Sequence, residues 1–236
     1  MSFDRNFFEG KAYRGSNVDL QRIKDFIEAG YESKARNEVV HKKSYAPSSI
    51  GYDGNGRCPR WWKLAFEGKH TAVDKNDNLG RAVMENGTAV GERFANNMQR
   101  AGAPIDAEVE IKIEDPPIRG YIDVLLYDED GGVTVIEVKS IRPEGFHQRV
   151  TTMSPIPYHR YQILLYMRAM GTDRGVMAYE DKGTQKHVLI PITPTKDDWK
   201  MLDYALDWLR MVNDLEELPK RPFTRKSKQC KSCPLM

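Results

Sequence analysis

The sequence predicts an α/β fold, a sheet of about five strands flanked by helices. Three observations carry that expectation. Over 17–33 and 78–102 the apolar residues recur at helical spacing, and then "AEVEIKIED" (107–115) changes the period to two. "RGYIDVLLY" (119–127), the turn "DEDGG" and "VTVIEVKSI" (133–141) read as a hairpin. After it, "YHRYQILLYMRAMG" (158–171) reads as a helix ending at Gly171, followed by a second hairpin and a long last helix.

Taken in order, "NVDLQRIKDFIEAGYES" places Leu20, Ile23, Phe26 and Ile27 on one helical stripe, with Asn17 or Asp19 as cap. Residues 39–56 read mostly as loop. "RCPRWWKLAFEGKH" (57–70) predicts a short helix with paired tryptophans. Val83, Val90 and Phe94 predict a helix over 78–102, continuous or broken near Gly87. In the first strand Val109, Ile111 and Ile113 face inward, and Glu108, Glu110 and Lys112 outward. In the second, Ile122, Val124 and Leu126 share a face, with Asp123 opposite. "GVMAYEDKGTQKHVLIPI" turns near Gly183, and Thr195 with Asp198 opens the final helix.

With 236 residues, 40% hydrophobic and 30% charged, the chain suits one good-sized core rather than a disordered polymer. No apolar run is long enough to span a bilayer, and "MSFDRNFFEGKAYRG" lacks the apolar centre of a secretory signal; a cytoplasmic location follows as the expectation. Net charge is only +2, but Lys220, Arg221, Arg225, Lys226, Lys228 and Lys231 form a basic C-terminal stretch without an acid. Three cysteines without a signal peptide do not suggest a disulfide framework.

The chemistry centres on "VTVIEVKSI". Glu137 and Lys139 stand two apart on one face of an apolar strand, and Asp123 can lie across the hairpin from Glu137. Two carboxylates that close repel unless a positive charge lies between them, and Mg²⁺ or Mn²⁺ is the natural candidate. Lys139 would then stand beside the ion, placed to help deprotonate an attacking water and to neutralise developing charge. A charge pair on the wet face of an ordinary hairpin is the alternative. Val133 and Val135, leading into Glu137 on that same face, weigh against it.

The pattern "GYIDVLL…VIEVKS" resembles the core signature of the PD-(D/E)XK nuclease superfamily, with Asp123, Glu137 and Lys139 as its triad. Gln162 and Tyr166, four apart on one helix face, resemble the QxxxY motif of the RecB-like branch, and "MAYEDK" suits the strand that follows. Glu92, in "GTAVGERF", resembles the helix glutamate of lambda-type phage exonucleases, a third acidic ligand. The resemblance covers roughly residues 40–236. It implies a restriction-endonuclease-like core with a mixed sheet (41–236) behind an N-terminal helical extension (1–40). Cys58, Cys230 and Cys233 resemble three of the four ligands in the split cysteine cluster of iron–sulfur RecB-like nucleases, such as CRISPR-adaptation exonucleases and AddAB-type nuclease domains. The two cysteine segments would close on each other. The fourth ligand has no counterpart: a non-cysteine ligand completes the set, or it lies beyond this sequence, or no metal binds. A 4Fe–4S cluster is the expectation, and Zn²⁺ with His41 or His70 the alternative.

The implied activity is a Mg²⁺/Mn²⁺-dependent DNA exonuclease in recombination, repair or phage DNA processing. Glu92, Asp123, Glu137 and the Val138 carbonyl would hold metal, Lys139 would sit by the attacking water, and Gln162 and Tyr166 would position the site. The partner is DNA, as single strands or duplex ends, alongside recombination or replication proteins. Arg57, Arg60, Lys63 and the basic tail would line the strand path, and Trp61 and Trp62 could stack on bases. A structure-specific endonuclease, an inactive nucleic-acid-binding module and a cysteine-metal redox sensor are the rival functions.

Overall fold

The computed structural model describes residues 19–33, 38–39, 41–51, 57–68, 71–72, 78–231 and 233. Asn17 and His70 lie outside them. The chain separates into two compact units, Met1–Ala35 and Arg36–Met236. In the first, α1 (Leu20–Glu32) starts at Asp19, whose carboxylate accepts the Arg22 N–H at 2.9 Å.

The second unit begins with β1 (Glu38–Val39) and a 3₁₀ turn, Pro47–Ser49, followed by α2 (Pro59–Glu67), β2 (Thr71–Ala72) and α3 (Asn78–Arg100). The main sheet comprises β3 (Ile105–Ile113), β4 (Ile118–Tyr127), β5 (Val133–Ile141), β6 (Gly175–Asp181) and β7 (His187–Ile192), hydrogen-bonded in that order. All its pairs are antiparallel except β5 with β6, so the sheet is mixed as expected. That parallel pair requires a crossover, which α4 (Pro143–Thr152) and α5 (Pro157–Met170) supply. α6 (Lys196–Asn213) and a short α7 (Lys228–Lys231) complete the described elements.

α3 runs unbroken through Gly87. α4 is an element that sequence periodicity misses. It starts on Pro143 without a side-chain cap and ends on Met153 in the left-handed region, φ 46°. Its moderate amphipathicity and missing cap leave only Pro143 as a signal.

Two cores sandwich the sheet. The larger lies beneath α2, α5 and α6 and includes Tyr45, Trp62, Ile122, Val135, Leu165, Tyr179 and Leu209. The smaller joins Val90 and Ala95 of α3 to Val124, Ile136, Val138 and Ala178. Trp62 is buried against Tyr45 and Trp61, with ring centroids 4.6 and 4.4 Å apart. This removes Trp62 from any role in base stacking, and Trp61 also packs against the core. Burial of so large a side chain outweighs what transient stacking would return.

The β3–β4 hairpin turns over at one point. Its register joins Ala107 to Val124 and Val109 to Ile122 and passes over Glu108 and Asp123, and Glu108 has φ 54°. On one side of this point Val124 and Leu126 belong to the smaller core, and on the other Ile122 belongs to the larger one. The expectation that Ile122, Val124 and Leu126 share a face therefore fails, because simple alternation does not survive a left-handed residue in the neighbouring strand.

β4 and β5 also part company here. Their ladder runs from Tyr127↔Val133 to Val124↔Ile136 and stops before Asp123. The edge of β4 freed by this divergence is covered by Tyr45, which donates its N–H to Pro117 O at 2.7 Å and accepts the Arg119 N–H at 3.1 Å. Gly120 permits the close approach. A Cβ there would stand 2.5 Å from Pro47 Cγ and 3.2 Å from the Tyr166 hydroxyl.

Candidate active site

The site forms where β4 and β5 diverge. Past the end of the ladder, the Val138 N–H has no β4 carbonyl to bond, and the Asp123 carboxylate accepts it instead at 2.6 Å. A strand residue sends its N–H and C=O out on the same edge, so the Val138 carbonyl opens on the same gap. Asp123 thus does two things: it caps a strand edge and fixes one carboxylate oxygen at the gap.

Glu137 lies on the α5 side of β5, the face of Val135 and Ile141, and is 0% exposed. The wet-face reading of the Glu137–Lys139 pair is thereby excluded. One oxygen, Oε1, pairs with the Lys139 ammonium and accepts the Gln162 side-chain N–H at 2.7 Å. The other, Oε2, is buried with no partner among the described residues. A charged oxygen shut from water and left unpaired is costly, and it marks a place that a cation would fill.

The electrostatics agree. Burial pushes Glu137 up to about 8, against the pull of Lys139 and with the added repulsion of Asp123. Asp123 is raised as well, by burial first, with Lys139 and the Val138 N–H opposing. Burial works to lower Lys139, but Glu137 and Asp123 outweigh it and the ammonium is held above its ordinary range. One ammonium is set between two carboxylates, and the group lacks a positive charge.

α5 places Gln162 and Tyr166 over β5, both buried. Gln162 Nε2 lies 3.4 Å from the Tyr166 hydroxyl while it holds Glu137, so the two residues join through the carboxylate they flank. Met167 and Ile163 let α5 lie close to β6 because Gly175 has no side chain; a Cβ there would stand 2.5 Å from Met167 Sδ.

Glu92 sits differently. It is exposed on α3 and makes no hydrogen bond or ion pair among the described residues. Its charge bears on Glu108, whose carboxyl is raised by partial burial first, then by Asp123 and Glu92. Glu108 is a site-facing residue that sequence reading misses, because strict alternation made it an outward surface charge. No three acidic, histidine or cysteine side chains among the described residues stand close enough to enclose one ion. The central pair is therefore Asp123 with Glu137, and Glu92 and Glu108 form a more open acidic rim. His159 is a second omission: it precedes Gln162 by one turn on the same helix face, a spacing that could have revealed it.

Of the basic residues near Cys58, Arg60 donates to Pro219 O at 2.9 Å, and Lys63 holds Leu215 O. Both tie α2 to the segment after α6. The same closure brings the cysteines together. The Cys58 thiol is raised by burial first, with Cys233 and Cys230 adding to it, and its sulfur caps α2 by accepting the Trp61 N–H at 3.4 Å. Cys230 is buried and Cys233 half-buried. His41 is exposed, beside Gly68.

The family model of the PD-(D/E)XK nuclease superfamily matches residues 57–236. Among solved structures, the alkaline exonuclease LHK-Exo from Laribacter hongkongensis is similar with a TM-score of 0.50 and 15% identity, over 72% of this chain and 90% of that one. The complex of LHK-Exo with dAMP gives 0.54 and 16%, over 72% and 88%. At that identity the likeness is one of fold. The search of curated proteins gives no match.

Proposed function

Because this chain belongs to the PD-(D/E)XK nuclease superfamily, we propose that it is a divalent-metal-dependent deoxyribonuclease working from DNA ends, with Asp123, Glu137 and Lys139 at its centre. The single observation that carries the proposal is Glu137 Oε2, a buried carboxylate oxygen without a partner among the described residues, beside a second carboxylate in the gap between β4 and β5.

These residues fit a hard cation. Mg²⁺ is commonly held by one or two carboxylates together with waters and substrate phosphate, and two carboxylates are what the gap presents. Asp123, Glu137 and the Val138 carbonyl would hold Mg²⁺ or Mn²⁺, with Glu92 supporting it from the acidic rim. The ion, when bound, supplies polarisation of the phosphate and acidification of water. Lys139, fixed by its ion pair to Glu137, keeps a positive charge at the phosphate and orients the attacking water. Gln162 holds Glu137 in place and Tyr166 closes the site from the helix side.

Action at ends is supported by the kinship of fold with an alkaline exonuclease, one structure of which holds dAMP. The test is end-labelled linear DNA and closed circular DNA, each incubated with Mg²⁺ or Mn²⁺. Linear DNA should be degraded and circular DNA spared, and Asp123→Ala and Lys139→Ala should abolish cleavage. Cut circles would establish an endonuclease, and DNA binding without hydrolysis an inactive module.

Cys58, Cys230 and Cys233 would supply three ligands to a 4Fe–4S cluster, one to each of three irons, whereas among the described residues they do not stand close enough to enclose a single Zn²⁺. The described residues offer no fourth, and no catalytic step is assigned to that group. Iron, sulfide and zinc analysis of anaerobically purified protein decides between them.

A further inference from the structure

α4 carries a guanidinium for which the described residues provide no counter-charge. Arg149 is 7% exposed, its Nε is enclosed without a hydrogen-bond partner, and no carboxylate pairs with it among the described residues. Two other arginines of the fold are treated differently. Arg93 holds both oxygens of Glu180, at 2.6 and 2.7 Å, and Arg160 holds both oxygens of Asp198, also at 2.6 and 2.7 Å. An uncompensated buried charge is among the costlier features a fold can carry. Arg149 lies in the last turn of α4, where the helix dipole offsets only a fraction of that cost.

Its charge bears on His159 and Tyr179, on the α5 and β6 side of the site. Tyr179 stands beside Lys139 in the parallel register of β5 and β6. The Tyr179 hydroxyl accepts the Ile156 N–H at 3.0 Å and lies 3.0 Å from His159 Nδ1. Where the hydroxyl gives its proton to Nδ1, the neutral imidazole keeps Nε2–H as its donor. Burial, then the charges of Lys139 and Arg149, hold the His159 imidazole down to about 3, so it stays neutral over the working range. His159 is itself only 7% exposed. A guanidinium, an imidazole N–H and an ammonium thus share one neighbourhood.

We propose that Arg149 and His159 form a phosphate subsite beside Lys139, which takes the DNA backbone phosphate adjoining the scissile one. The guanidinium fork matches phosphate oxygens two at a time, and the phosphate provides the counter-charge that the described residues omit. This rests on the nuclease reading, so the test separates the two.

Wild type and Arg149→Met are compared on end-labelled DNA carrying one uncharged methylphosphonate linkage, with melting temperatures alongside. On ordinary DNA, Arg149→Met raises KM about 10- to 100-fold, the range of one charge-assisted contact, while kcat changes far less. Wild type stalls at the neutral linkage and again one linkage away, and the variant stalls only at the linkage itself. Its melting temperature equals or exceeds that of wild type, since an uncompensated charge is gone; a merely structural arginine would lower it. A wild type indifferent to the neighbouring neutral linkage overturns the subsite, and that result needs no variant to fold. If wild type cleaves nothing with either cation, the nuclease reading fails. Inorganic sulfate then reports on the subsite alone: a melting temperature raised in wild type and not in Arg149→Met supports it, and an equal rise in both overturns it.

Discussion

At the scale of single residues, the account turns on how Glu137 is held. Among the described residues its Oε1 has two partners and its Oε2 none, so the residues around it act by fixing its direction. Gln162→Ala removes one of them. Partners of metal-holding carboxylates typically contribute about 10- to 100-fold in metal affinity or activity, and that is the loss expected in a Mn²⁺ titration of Gln162→Ala. Tyr166→Phe removes only the long 3.4 Å contact, and its loss of activity should stay below that of Gln162→Ala. Asp123, Glu137 and Lys139 were legible in the sequence as charges placed together on a hairpin, and the resemblance to the nuclease signature favoured them over an ordinary wet face. Glu108 and His159 were not. Glu108 fitted an outward position of an alternating strand until its positive φ turned the hairpin over, and His159 was one more residue on a polar–apolar helix.

At the scale of elements, two junctions hold the site's walls in place, and each makes a prediction. Gly120 lets Pro47 and Tyr166 close on β4. Gly120→Ala would force its Cβ against Pro47 and should cost about 1–3 kcal/mol, read by denaturant unfolding. The α5–α6 junction depends on Asp198, which receives Arg160 at 2.6 and 2.7 Å and also closes the capping box with Thr195. The Arg160 bonds, opposed by burial, hold the Asp198 carboxyl well below the ordinary range. Its stabilising contribution is therefore present above the unfolded pKa, near 4, and lost as pH falls toward the folded value. Asp198→Asn should lose about 1.5–3 kcal/mol at pH 7, and the gap to wild type should narrow as unfolding is repeated at lower pH. The elements were mostly legible: the period-two runs, the capping box and the Gly171 end all correspond to structure. α4 was not, for want of a cap, and the helix from Asn78 to Arg100 could not be judged continuous because an interior glycine costs only about 1 kcal/mol.

At the scale of the whole molecule, the organising feature is a sheet that opens in its middle. β4 leaves β5 at Asp123, Tyr45 covers the freed edge, and α5 roofs the gap with Gln162 and Tyr166. A sheet of about five strands was predictable from hydrophobic period and its mixed character from the family resemblance, but the opening was not. It depends on where a ladder stops, and side-chain patterns report the face of a strand rather than its edge. The same applies to the closure after α6, where Arg60 and Lys63 hold backbone carbonyls while their sequence suggested exposed charge. Removing core from this frame should be felt at the site: Leu165→Ala, on the buried face of α5 and 0% exposed, should cost about 2–5 kcal/mol in thermal or denaturant unfolding. The most direct test of the central claim is a calorimetric titration of Mn²⁺ into wild type, Asp123→Ala and Glu137→Ala. Wild type should bind and each variant should lose that site; absent binding in wild type, or undiminished binding in both variants, would contradict the account.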